Sequence, residues 1–204
     1  MSRLMTALFA GTLIAASAST QEKSKTLVVY FSMPESTKTA GLTRDEENSL
    51  VVVDGKALGN TQYVAELIAR KTGADIFRLE SDVPYPLDHK KLVQQASDEQ
   101  RKNARPKIKG TLPDIADYGT VFVGYPNWWG DMPMIVYSLF DAADFSGKKI
   151  IPFCTHGGSG LSRTVQTISR LEPDAAVERN ALSIYRDDVA RCEQTVESWL
   201  NRIR

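Results

Sequence analysis

Cysteine and histidine are scarce in this chain, with two of each among 204 residues. So few ligands yield no C-x-x-C pair, haem-attachment signature or metal-ligand spacing, so structural zinc, dithiol and haem chemistry are set aside. An excess of one charge is lacking too. The 25 basic residues balance 25 acidic ones, which leaves no footprint for nucleic acid or an anionic membrane surface. No internal repeat or low-complexity tract occurs, and no apolar run reaches the ~20 residues of a comfortable membrane span.

What is present begins with a leader. "MSRLMTALFAGTLIAASAST" carries one basic residue, Arg3, then an apolar stretch from Leu4 to Ala16, then Ala16-Ser17-Ala18. That is the layout of a secretory signal with a small-residue cleavage site. Residues 1–20 are therefore expected to be a signal peptide and the mature protein to be exported, periplasmic or secreted. If the leader is not cleaved, the protein is cytoplasmic. No twin-arginine pair is present, which favours export in the unfolded state. Cys154 ends an apolar run and Cys192 shares a helical stripe with Val189, Val196 and Trp199. Both are expected to be small buried core residues rather than a disulfide.

From residue 25 onward, β-rich runs alternate with amphipathic segments. "KTLVVYF" (25–31), "DIFRLES" (75–81), "GTVFVGY" (119–125), "KKIIPFC" (148–154) and a weaker "VERNALSI" (177–184) are the expected strands. Near-continuous apolar runs suit strands covered on both faces, although Pro152 weighs against the fourth. Helices are expected at 61–73 with Gly73 as a stop, in the polar segment 87–106, and after Asp131 as N-cap with Pro133 in the first turn. Two more are expected at 161–171 and 187–203. Strand and helix alternating five times implies right-handed crossovers and a parallel sheet with helices on both faces. Ligands of such sheets sit beyond the carboxyl ends of the strands.

Three loops leave those ends rich in Gly, Ser, Thr and Trp. After Phe31 comes Ser32, but the helix opener "GNTQ" (59–62) arrives only after a long insertion. Gly59-Asn60-Thr61 offers free backbone N–H groups and a helix N-terminus, a receptor for phosphate or an ordinary cap. After Tyr125 comes "PNWWGDMP", which spends two of three tryptophans in an irregular stretch. Each ring offers ~150–250 Å² of surface, roughly 4–6 kcal/mol of gross apolar transfer. The rings either pack beneath the loop or receive a flat apolar ligand. After Cys154 comes "THGGSG" (155–160), whose glycines let backbone approach a ligand closely.

Together, "YFS…GNTQYVAELI", "GYPNWWGDMP" and "PFCTHGGSG" resemble the flavodoxins, specifically the flavodoxin-like subgroup, over about residues 25–203. The resemblance implies an α/β fold, a three-layer α/β/α sandwich with a five-stranded parallel sheet of order 2-1-3-4-5, and non-covalent FMN. Ser32, Asn60 and Thr61, with Gly59 and Gln62 in the same turn, would hold the phosphate. Pro126, Asn127, Trp128, Trp129 and Gly130 would flank the isoalloxazine. Thr155, His156, Gly157, Gly158, Ser159 and Gly160 would line its other edge. The chain departs from the pattern in the insertion 33–58, which splits the phosphate loop and loosens the tie between Ser32 and that site. The second half of the insertion, "SLVVVDGKAL", is expected to be a hairpin around Asp54-Gly55.

The resemblance implies electron transfer with a redox partner protein. An FMN-dependent reductase of quinones or similar small acceptors is the alternative, with His156 as its catalytic proton donor. A cofactor-free interaction module is a third reading, and the protein would be a monomer or homodimer in any of them. "HGGSG" is also similar to the oxyanion loop of lipase-type hydrolases. Those need a G-x-S-x-G elbow, which Ser159-Gly160-Leu161 breaks, and a catalytic histidine. The other histidine, His89, falls in the polar helical segment.

Overall fold

Alternate residues of the first strand serve opposite faces of the sheet. In the computed structural model, which describes residues 25–203, β1 (Lys25–Phe31) turns Leu27, Val29 and Phe31 into one apolar cluster and Val28 and Tyr30 into another. The expected signal peptide, residues 1–20, lies outside the described residues. The chain continues through α1 (Arg44–Ser49), β2 (Leu50–Val53), β3 (Lys56–Gly59), α2 (Asn60–Thr72), β4 (Asp75–Leu79) and α3 (His89–Arg101). Then come β5 (Tyr118–Pro126), α4 (Met134–Ala142), β6 (Lys149–His156), α5 (Thr164–Leu171), β7 (Ala176–Val177), β8 (Leu182–Tyr185) and α6 (Glu193–Ile203).

The sheet runs β4-β1-β5-β6, all parallel, and β6 then pairs with both β7 and β8. The fold is the expected α/β sandwich. Its order is 2-1-3-4-5, with the fifth position split into two short strands. Helices α3, α4 and α5 cover one face through Leu92, Ile135, Leu139 and Ile168. The other face is covered by α2 and α6 through Val64, Leu67, Ile68, Val196 and Trp199. Cys154 and Cys192 are free and buried, each within one of these cores.

Pro152 sits inside β6 because of the split. Ile150 O accepts from Glu178 N at 2.8 Å, so even-numbered peptide groups of β6 face the outer edge. Pro152 therefore falls opposite the break between β7 and β8, where its missing N–H deprives no ladder partner. The N-cap of α4 differs from expectation. Pro133 occupies it, since Asp131 closes the preceding turn and its carboxylate is taken by Tyr137 Oη at 2.7 Å. The last helix is also shorter than its periodicity suggests. Arg186–Arg191 forms a 3-10 turn before α6, and both keep the same apolar stripe inward.

The insertion folds back on itself. Strands β2 and β3 pair antiparallel around Asp54 and Gly55 (φ 49° and 72°), the expected hairpin with a primed turn. Its polar half contains α1, closed by a Thr43–Glu46 capping box.

Candidate functional site

Gly59 returns the insertion to the rim of the sheet. A Cβ there would lie 2.1 Å from Ser32 Oγ, so only glycine lets the hairpin end this close to the residue following β1. Twenty-six inserted residues therefore leave Ser32 beside Asn60 and Thr61, and all three are buried. Thr61 Oγ1 lies 2.7 Å from Thr155 Oγ1, joining the first loop to the third. Asn60 Nδ2 donates to Asn48 O at 3.1 Å, while its Oδ1 is buried without a hydrogen-bond partner.

Asn127 ties the second loop to the third. Its N–H donates to Thr155 O at 2.8 Å and its Nδ2 to Gly160 O at 2.9 Å. Trp128 and Asp131 exchange backbone hydrogen bonds of 2.9 and 3.1 Å across a tight turn, with Trp129 and Gly130 at φ 55° and 78°. That turn sends the two rings to different fates. Trp128 is half-buried, edge-on to Phe31 and Tyr85 at 5.4 and 5.6 Å. Trp129 is 61% exposed and donates through Nε1 to Val93 O at 3.2 Å.

In the third loop, Gly158 N–H donates to His156 Nδ1 at 3.0 Å. The accepting Nδ1 assigns the proton of the neutral ring to Nε2. Burial holds this imidazole below its ordinary range.

The three loops meet around a cavity of about 340 Å³, within the size range of small-molecule sites. From the first loop come Ser32, Asn60 and Thr61; from the second, Pro126, Asn127, Trp128 and Trp129; from the third, Thr155, His156 and Gly157. The other singled-out positions stand behind this lining. Gln62 Oε1 accepts from Gly59 N and caps α2. Gly130 completes the turn, while Gly158, Ser159 and Gly160 shape the third loop outside the wall.

Sequence reading missed a fourth wall. His89, Leu92, Val93 and Ala96 line the cavity from one face of α3, and their i, i+3, i+4, i+7 spacing was the available signal. His89 thus belongs to the site and not merely to a polar helix. Its Nδ1 lies 3.0 Å from Glu35 Oε2, and its Nε2 lies 4.0 Å from Asp45. Burial pushes the Glu35 carboxyl up from its ordinary value, and the bond to His89 opposes the rise. Met33, Glu35, Asn48 and Ser49 reach the cavity from the insertion, and Arg186 from beyond β8. No local pattern marks these, because their position depends on how the insertion and the split fifth strand fold.

A flavodoxin family model matches residues 49–203. The chain belongs to the flavodoxin family. The match to the flavodoxin model begins inside the insertion, at residue 49. Among solved structures, the chain is similar to a Bacteroides eggerthii protein described as a flavoprotein, at 25% identity and TM-score 0.65, covering 88% of this chain and 97% of that one. A flavoprotein of Lactobacillus acidophilus, solved in complex with FMN, shares the fold at 20% identity and TM-score 0.58, over 87% and 99% of the two chains. No curated protein matches the chain.

Proposed function

We propose that this flavodoxin holds FMN non-covalently in the three-loop cavity and carries electrons between redox partners. The observation that carries the reading is the convergence of three sequence-distant loops on one cavity with aromatic, hydroxyl and amide faces. The residues present fit the cofactor. Asn60 Oδ1, buried and unpartnered, suits a ribityl hydroxyl, since an unmet buried acceptor is costly. Ser32, Thr61 and the first N–H groups of α2 suit the phosphate. Trp128, fixed edge-on by Phe31 and Tyr85, and Trp129 supply the flat apolar surface for the ring system.

When bound, FMN supplies reversible one- and two-electron chemistry. The protein's own residues set access to it. Trp129 extends the aromatic wall to the surface, where a partner can approach. Asn127 fixes the distance between the second and third loops. The N-terminal leader supports a protein working outside the cytoplasm, with electrons supplied by a membrane component or partner protein. N-terminal sequencing of the mature protein tests that part.

The test of cofactor binding is a titration with FMN. Tryptophan fluorescence should quench with saturation at micromolar flavin, and the purified protein should be yellow. No response of either signal would end the proposal. A second reading, reduction of a quinone or similar small acceptor, is favoured by His89 and His156 both bordering the cavity. Imidazoles there can deliver a proton to an acceptor taking up electrons. Steady-state assays with NAD(P)H and quinones separate the two: turnover without a second protein supports the reductase, and its absence supports the carrier.

A further inference from the structure

Among the described residues, one permanent cation borders the cavity, and it comes from outside the three loops. Arg186 follows β8 directly and opens the 3-10 turn Arg186–Arg191. It packs directly over Gly157, where a Cβ would lie 2.9 Å from Arg186 Nη1 and 3.3 Å from its Cζ. Arg186 Nε is buried without a hydrogen-bond partner. Among the described residues, the carboxylate within ion-pair distance is Asp187, 3.8 Å away and itself 59% exposed. A pair that open to solvent compensates little of the guanidinium's burial.

This cation shares its cavity with Asn60 and Thr61, the first residues of the 13-residue helix α2. The turn that carries it packs against α1, β2 and α2. The N-terminus of α2, the Thr61 and Thr155 hydroxyls and a guanidinium whose Nε is buried thus line the same space. Such a set is built for a compact anion. The phosphate is the one permanently anionic group of FMN.

We propose that Arg186 makes this protein selective for phosphorylated flavin, closing its guanidinium on the FMN phosphate and so discriminating against riboflavin. The proposal rests on the FMN reading and adds a residue that the phosphate loop does not contain.

Parallel fluorescence titrations of FMN and riboflavin against wild type, Arg186→Gln and Arg186→Lys test it. Wild type should bind FMN well over tenfold more tightly than riboflavin. Arg186→Gln should lose about 10- to 100-fold in FMN affinity, the range expected for charge-assisted hydrogen bonds. Its riboflavin affinity should stay within about twofold, since riboflavin lacks the group concerned. Arg186→Lys keeps the charge but not the fork, and should fall between the two. Salt should weaken FMN binding to wild type more than to Arg186→Gln. Circular dichroism of both variants checks that each is folded, and the lysine variant carries the test if the glutamine variant is not. Unchanged selectivity in the folded variants overturns the proposal. So does an equal loss for both flavins, which would place the guanidinium on the ring or ribityl chain. Wild type that binds both flavins equally overturns it while leaving flavin binding intact. Wild type that binds neither overturns the functional reading as well.

Discussion

The rim of the sheet and the insertion wall one cavity between them, but different forces hold them. The rim residues Ser32, Pro126 and Thr155 stand at or just past the ends of strands whose Val28, Val29, Val121, Val123 and Phe153 are 0% exposed. Burial on both faces leaves those loop origins no freedom. In the insertion, α1 buries no residue. Leu50 and Val51 are buried and Met33, Val53 and Leu58 pack partly against the cores, while polar contacts hold the rest: the capping box, Glu35 N–H to Ser49 Oγ at 2.9 Å, and the Glu35–His89 pair. Polar contacts near solvent contribute little each. The rim is the fixed side of the cavity and the insertion the side that can open.

The largest test sets two glycines against each other. A Cβ on Gly124 would meet the ring of Phe153 at 2.0 Å, with that ring fully buried. Gly124→Ala should cost about 3 kcal/mol of global stability in urea unfolding, the upper part of the usual overpacking range. Gly41, in the insertion, has nothing within 4 Å of such a Cβ and only its φ of +64° to penalise a side chain. Gly41→Ala should cost about 1 kcal/mol. Equal costs would break the contrast.

Next come the paired tryptophans. Trp128→Ala removes the ring that Phe31 and Tyr85 pack against, and should lose about 2 kcal/mol of stability. Trp129→Ala should lose well under about 1 kcal/mol, since 61% of the residue already meets solvent. Both should weaken FMN binding. The adjacent variants then separate ring packing from ligand stacking. A Trp129→Ala protein as unstable as Trp128→Ala would show that the exposed ring is structural after all.

How much of this was legible follows the same division. The strands were legible because double-sided burial writes continuous apolar runs such as "KTLVVYF". The three rim loops were legible because a parallel sheet puts its ligands at the strand ends. Asp54-Gly55 was legible because a primed turn demands positive φ at both residues. Glu35 and Asn48 were not, since nothing local says that a polar insertion will fold back through Gly59, and Arg186 was not, since its place follows from the split of the fifth strand. His89 was missed for a different reason. Its helix is so polar that the single face of His89, Leu92, Val93 and Ala96 was outweighed by the lysines and glutamines around it. Asp131 was misassigned as a cap because the Trp128–Asp131 turn had already claimed it.

Hydrogen exchange sharpens the contrast without substitution. Backbone amides of α1 should exchange at least about 100-fold faster than those of β5, because a short helix with no buried residue opens locally while β5 opens only with the whole sheet. FMN should slow exchange in the insertion if the insertion closes on it. Unchanged protection there would make the insertion a bystander to binding.

The smallest effect concerns Glu35, whose carboxyl has an ordinary value of 4.5 and is raised by burial despite the His89 bond, with Asp45 and Asp88 adding to the rise. A carboxyl that keeps its proton to higher pH when folded contributes stability that is complete below the unfolded value. That contribution is lost as pH climbs through the folded one. Wild type should therefore lose a little stability from about pH 4.5 upward. Glu35→Gln, which still offers His89 an acceptor but has no charge to desolvate, should lose none of it. The variant should match wild type near about pH 4 and exceed it by less than about 1 kcal/mol near about pH 8. If instead Glu35→Gln is less stable at the higher pH, the ionised carboxylate gains more from His89 than burial costs it. The insertion would then be held by a true ion pair, and its looseness relative to the rim would have to be argued from the exchange data alone.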